Sequence, residues 1–139
     1  MGFVLFIVAL TLVGVIGVIG FISTLLYYFF TLKWEQGYDA SNKFMYKLAL
    51  SIDQFGNVAC AVPFGYLLIK KFGIPFGDED DTISYILALN RDRGTLTTLG
   101  KWLAYILDVL DTDHLDKAIE LKIEKDRLAY ERYLKVLNG

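Results

Sequence analysis

The chain has 139 residues, 55% of them hydrophobic and 15% aromatic, with 14 basic and 16 acidic side chains and a net charge of −2. That balance lacks the basic patch a nucleic-acid binder needs. The single cysteine, Cys60, excludes an intrachain disulfide and any cysteine-cluster metal site.

The charges are unevenly placed. Residues 1–32 carry none, so every acidic and basic side chain lies from Lys33 onward. Gly2 to Phe30 is a run of 29 uncharged, mainly apolar residues, which as a helix reaches roughly 43 Å. The hydrocarbon core of a bilayer is about 30 Å thick, so the run predicts a transmembrane anchor over residues 1–32. A cleaved signal peptide is the rival reading. It would have a basic start, a shorter apolar stretch and small residues at a cleavage site, and this segment has none of these. Tyr27, Tyr28, Lys33 and Trp34 at the end of the run read as interfacial anchors, an aromatic belt with a snorkelling cation. Lys33, Lys43 and Lys47 follow the run and no basic residue precedes it, which places the N-terminus outside and the remainder on the cytoplasmic side. Gly14, Gly17 and Gly20 recur every third residue and could let another helix approach closely, although glycine is also simply frequent in membrane helices.

From about residue 42, capped by Asp39, Ser41 or Asn42, the apolar positions Phe44, Leu48, Ile52, Phe55, Ala59, Val62, Tyr66 and Ile69 follow at helical spacing, with a kink expected at Pro63. Only Asp53 is ionisable between Leu48 and Ile69. A second span is therefore conceivable, but Asp53, Gln54, Asn57 and Pro63 argue for a helix packed in a small domain or lying along a membrane. The Phe72–Gly77 turn and the acidic run Asp78–Asp81 lead into the apolar stretch Ile83–Leu89, read as a helix whose dipole those acids complement and whose free N–H groups they cap. Residues 90–94 read as a loop, residues 95–98 as the cap of a third helix, and Asp113 as the cap of a last helix with Asp116 as its capping-box partner. That last helix is laced with opposite charges, the pattern of a solvated face.

Few residues could carry chemistry. Asp53 and Asn57 lie one helical turn apart in apolar company, where polar groups must be hydrogen-bonded. Asp78, Asp80, Thr82 and Ser84 place oxygen ligands at alternate positions, but Ile83 stands where a calcium loop needs glycine and Leu89 where it needs an acid. His114 is the only histidine and sits among Asp108, Asp111 and Asp116, so it could serve in acid–base chemistry or simply cap and salt-bridge. No nucleophile elbow, paired-histidine zinc motif or phosphate-binding glycine loop is present.

Leu50-Ser-Ile-Asp-Gln-Phe-Gly-Asn57, the stretch Phe76–Ser84, Leu107-Asp108 and Asp113-His114 together resemble a group of small uncharacterised proteins encoded in tailed phages and prophages. The resemblance covers about residues 48–118 and rests on an LDQ…N helix, a DET-[IL]-S turn and a late D-H pair; this chain departs from it at Asp80-Asp81 and at Tyr85. It implies a viral origin and a single cluster of Asp53, Asn57, Asp81, Thr82, Ser84 and His114, but no known activity.

The expected fold is all-α: a long N-terminal transmembrane helix followed by a small bundle of about three to four amphipathic helices. Its parts are an anchor over 1–32, a membrane-proximal helical domain over 33–112 and a charged amphipathic helix over 113–139. The expected function is that of a membrane-anchored, non-enzymatic viral protein, structural or associated with assembly or lysis, in a bacterial inner membrane or a virion membrane. Its expected partners are the lipid bilayer and further copies or other membrane and virion proteins, with no cofactor, metal or nucleic acid. The alternatives are a membrane-tethered enzyme or metal-binding module built on the Asp/Asn/His cluster, or an accessory subunit of a bacterial membrane complex.

Overall fold

The computed structural model describes residues 2–137, apart from the side chain of Val15. Among the described residues all regular structure is helical: α1 (Gly2–Leu12), a π-helical turn (Val13–Gly17), α2 (Val18–Thr31), α3 (Trp34–Ala59), α4 (Ala61–Leu67), α5 (Ile83–Asp92), α6 (Thr98–Leu110) and α7 (His114–Leu137). The chain divides into two compact units, Met1–Leu48 and Ala49–Gly139, with the division inside α3.

The first unit overturns the expected long transmembrane helix, and with it the membrane location and the orientation drawn from it. No helix among the described residues is long and apolar enough to cross a membrane. Gly14 and Gly17 fall in the π-helical turn, which interrupts the α-helical hydrogen-bond ladder while the flanking Leu12 and Val18 keep right-handed helical dihedrals. The pieces on either side are α-helices of 11 and 14 residues, or about 16 and 21 Å, against the roughly 30 Å of a hydrocarbon core. Neither α1 nor α2 buries a residue. Added β-carbons would meet nothing at Gly14 or Gly20, and only Val13 of the same helix at Gly17. At the end of α2 the chain turns through an extended Leu32. Phe44 of α3 then meets Phe21 and Tyr28, with ring centroids 5.9 and 6.3 Å apart, while Trp34 packs edge-on against Phe29 and Tyr28 against Tyr27. Tyr27, Tyr28 and Trp34 thus stack at a helical turn; their reading as interfacial anchors, and that of Lys33, rested on the span.

The second unit holds the core. Leu68, Ile69, Phe76, Ile86, Leu87, Ala88, Leu96, Ala104 and Leu115 are buried together, with α5, α6 and α7 packed on one another. The break between α3 and α4 falls at Cys60, just upstream of Pro63. Proline lacks the N–H that would bond the carbonyl one turn back, so a short helix can carry it only near its start. After α4, Ile69 pairs antiparallel with Leu96, with Lys70 N donating to Thr95 O (2.8 Å) and Thr97 N to Leu68 O (2.9 Å). Residues 90–92, read from the sequence as loop, continue α5, and Gly94 ends it with a φ of +67° that glycine adopts freely.

Candidate functional site

The side chains that converge come from α3, the 77–84 segment, α5 and the start of α7. On α3, Asn57 is fully buried and spends its whole amide on the loop ahead of α5. Its Nδ2 donates to Asp78 O (2.7 Å) and Asp81 O (3.1 Å), and its Oδ1 accepts from Gly77 N (3.3 Å). One turn earlier Asp53 meets the start of α5: Oδ1 accepts from Ile83 N (3.2 Å) and Oδ2 from Ser84 Oγ (2.9 Å). A carboxylate is favoured at that end because the first amides of a helix lack intrahelical partners and carry its positive dipole end. Thr82 caps α5 from within, accepting from Tyr85 N at 3.0 Å. The acidic run itself places no residue in the first turn of α5.

Ser84 Oγ lies 3.0 Å from His114 Nε2, and His114 Nδ1 lies 3.1 Å from Asp111 Oδ2. These are the spacings of a serine–histidine–aspartate triad, which is recognised by geometry and not by sequence order. Proton accounting reads it differently. The Ser84 hydroxyl has one proton, and in its carboxylate form Asp53 can only accept. While Asp53 holds that proton, His114 cannot take it as a base and meets the serine oxygen only as a donor. Ser84 is also 5% exposed, so little of it is offered to a substrate. The arrangement joins α3 to α5 and α7 through a chain of polar contacts.

Asp81, the remaining member of the predicted cluster, stands apart from this chain and pairs with Lys122 of α7 at 3.0 Å, both side chains being mostly covered. Partial burial opposes the Lys122 charge, but the hydrogen bond and Coulombic pull of Asp81, helped by Asp126 and Asp80, outweigh it and raise its pKa. The structure therefore brings Asp53, Ser84 and His114 into one bonded chain, sets Asn57 of α3 and Thr82 beside it against the loop ahead of α5, and turns the Asp81 side chain to Lys122 of α7. Among the described residues no group of three or more His, Cys, Asp or Glu side chains is placed to hold a metal ion.

Sequence reasoning passed over Asn90 and Lys122, and although α7 begins directly after Asp113 as expected, it took the cap of that helix from the wrong side chain. Asp113 has a left-handed φ of +58°, and the first turn of α7 is capped instead by Asp108 Oδ1, which accepts from Leu115 N at 3.1 Å. An aspartate seven positions upstream lies outside any local capping pattern, so no sequence signal could have found it. The unbroken periodicity through Ile86, Leu87 and Asn90 was the available hint that Asn90 faces inward.

Asp111 is held below the ordinary carboxylate pKa, first by the Lys117 ammonium hydrogen-bonded at 2.6 Å and then by His114. A depressed carboxyl contributes stability above its unfolded value near 3.8 and loses it as pH falls through the lower folded value. Denaturant melts are therefore expected to show stability falling below that pH. Lys117→Met, which removes the largest cause, should flatten part of the fall; identical acid profiles for both proteins would contradict this.

Compared with known protein families, with curated proteins and with solved structures, the chain matches none. The class that fold and site define is a small all-α protein whose polar cluster braces a three-helix core.

Proposed function

We propose that this protein is a non-enzymatic structural or assembly component that works through helix–helix and protein–protein contacts, of the viral kind that the resemblance over residues 48–118 implies. One observation carries the reading: the convergent polar side chains are engaged within the protein itself. Asp53, Asn57 and Thr82 bond main-chain groups of the 77–85 segment, and the Ser84 hydroxyl is held by Asp53. A catalytic site needs a nucleophile poised toward substrate and a base free to take its proton. Here both are tied into the scaffold. One surface left for function is the apolar face of α6, which turns Leu99, Trp102, Tyr105, Ile106, Val109 and Leu110 to solvent.

The triad spacing makes the competing reading, a serine hydrolase, testable. Incubated with a fluorophosphonate probe, the full chain is expected to take up no more label than its Ser84→Ala variant. Labelling that Ser84→Ala abolishes would overturn the non-enzymatic reading.

A further inference from the structure

We infer that α6 is the contact face of a two-fold symmetric dimer, in which the α6 helices of two copies of this chain pack antiparallel; this deepens the proposed function and rests on it. Leu99, Trp102, Tyr105, Ile106, Val109 and Leu110 form one stripe on α6 at spacings of three and four, all of them exposed, with Tyr105 at 67%. A continuous apolar stripe with tryptophan and tyrosine at its centre has the composition of an interface core. Apolar surface of that kind in one patch on a monomer marks a contact site.

The choice of occupant follows from charge. Of the charged side chains on α6 there are two, Lys101 and Asp108. They lie seven positions apart and so flank the same edge of the stripe. Lys101 is exposed, and Asp108 is partly exposed, with one oxygen capping Leu115 and the other 3.7 Å from Arg91. When two identical helices pack antiparallel, like edges face each other. A two-fold axis between Ala104 and Tyr105 then sets Lys101 of each copy opposite Asp108 of the other, twice over, with the aromatic residues between. A parallel arrangement sets each edge against the opposite one, which carries Leu99 and Leu110 and offers Lys101 and Asp108 no complement. Self-complementarity about one axis is what an isologous dimer requires. A single helix pair is a small interface, so the association belongs to the weak, transient class.

The antiparallel geometry sets different distances for different positions. Tyr105 lies beside the axis and next to its own counterpart, whereas Leu110 of one copy lies far from Leu110 of the other. In a Cys60→Ala background, the full chain is kept dispersed by a mild detergent that covers the side chains of α1 and α2. Under mild oxidation Tyr105→Cys is expected to form a disulfide-linked dimer roughly tenfold more than Leu110→Cys, because a disulfide needs Cα atoms within about 7 Å. Adding Lys101→Glu, which sets like charges across the axis, should lower the Tyr105→Cys yield several-fold with helicity unchanged. Equal linking at both positions, or none at Tyr105→Cys in a folded chain, overturns the pairing. Either result leaves the non-enzymatic reading standing, because only Ser84-dependent labelling overturns that.

Discussion

Asn90→Ala is expected to destabilise the second unit by about 3 kcal/mol or more, lowering its melting temperature by on the order of 15 °C. Asn90 is fully buried on the inner face of α5, and its amide makes four contacts. Oδ1 accepts from Ile74 N (2.8 Å) and Thr95 Oγ1 (2.6 Å), while Nδ2 donates to Ile74 O and Ile86 O (both 2.9 Å). The amide thus does for the 72–76 segment what a neighbouring strand would do, satisfying both main-chain groups of Ile74. Alanine removes donor and acceptor together and strands those groups away from water, at about 1–3 kcal/mol each. It also leaves a void between α5 and the segment that carries buried Phe76. Asn90→Asp should not rescue, because a carboxylate keeps the two acceptor contacts but faces the carbonyls of Ile74 and Ile86 with no proton to offer. Urea titrations of the three proteins check this. A loss below about 1 kcal/mol for Asn90→Ala would mean that water replaces the amide and that Ile74 is not held as described.

Gly100→Ala is the second large effect, with an expected cost of about 3 kcal/mol. A β-carbon at Gly100 would lie 2.2 Å from the carbonyl oxygen of Leu68 and 3.2 Å from Leu96 Cδ2. The first obstacle is backbone, and that carbonyl already accepts from Thr97 N at 2.9 Å, so it cannot rotate away without breaking the pairing that seats α6. The first turn of α6 must lift from the core or the Ile69–Leu96 bridge must part. Gly65→Ala is the matched control. Gly65 lies within α4, where an added β-carbon meets nothing within 4 Å, and glycine in a helix costs about 0.5–1 kcal/mol relative to alanine. That substitution should leave stability unchanged or raise it slightly. Similar losses at Gly65 and Gly100 would show that the close approach of α6 to Leu68 is not what makes Gly100 necessary.

Both predictions concern contacts that bring distant parts of the chain together, and they mark where reading the sequence stops. The helical character of the chain was legible from periodicity: the stripe from Phe44 to Tyr66 lies on α3 and α4, although Ile69 at its end falls beyond α4 in the bridge to Leu96. The 95–98 run caps α6 through Thr97, whereas Thr82 and not the acidic run caps α5. The break near Pro63 and the stop at Gly94 are equally local, since one follows from a missing N–H and the other from a left-handed φ. The same local reading failed at residues 2–31. Hydropathy there is continuous, whereas the hydrogen-bond ladder is not, and composition carries no sign of where an α-helix gives way to a π turn.

By itself, then, the chain's order of residues determined that it is all-α, where α6 and α7 begin and end, and that its few polar groups in apolar company need partners; it did not place the start of α3, which begins at Trp34 and runs through the expected caps Asp39, Ser41 and Asn42. Those outcomes depend on neighbours within one or two turns, a range over which spacing and side-chain type act directly. Only the tertiary structure decided which partners they find. Asp53 caps a helix thirty positions on, Asn90 stands in for a strand, Asp108 rather than Asp113 caps α7 through its side chain, and Ser84 reaches His114 but donates its hydrogen bond to Asp53. Each is a pairing across a closed loop, selected because burial makes an unpaired donor or acceptor costlier than bringing a distant one to meet it.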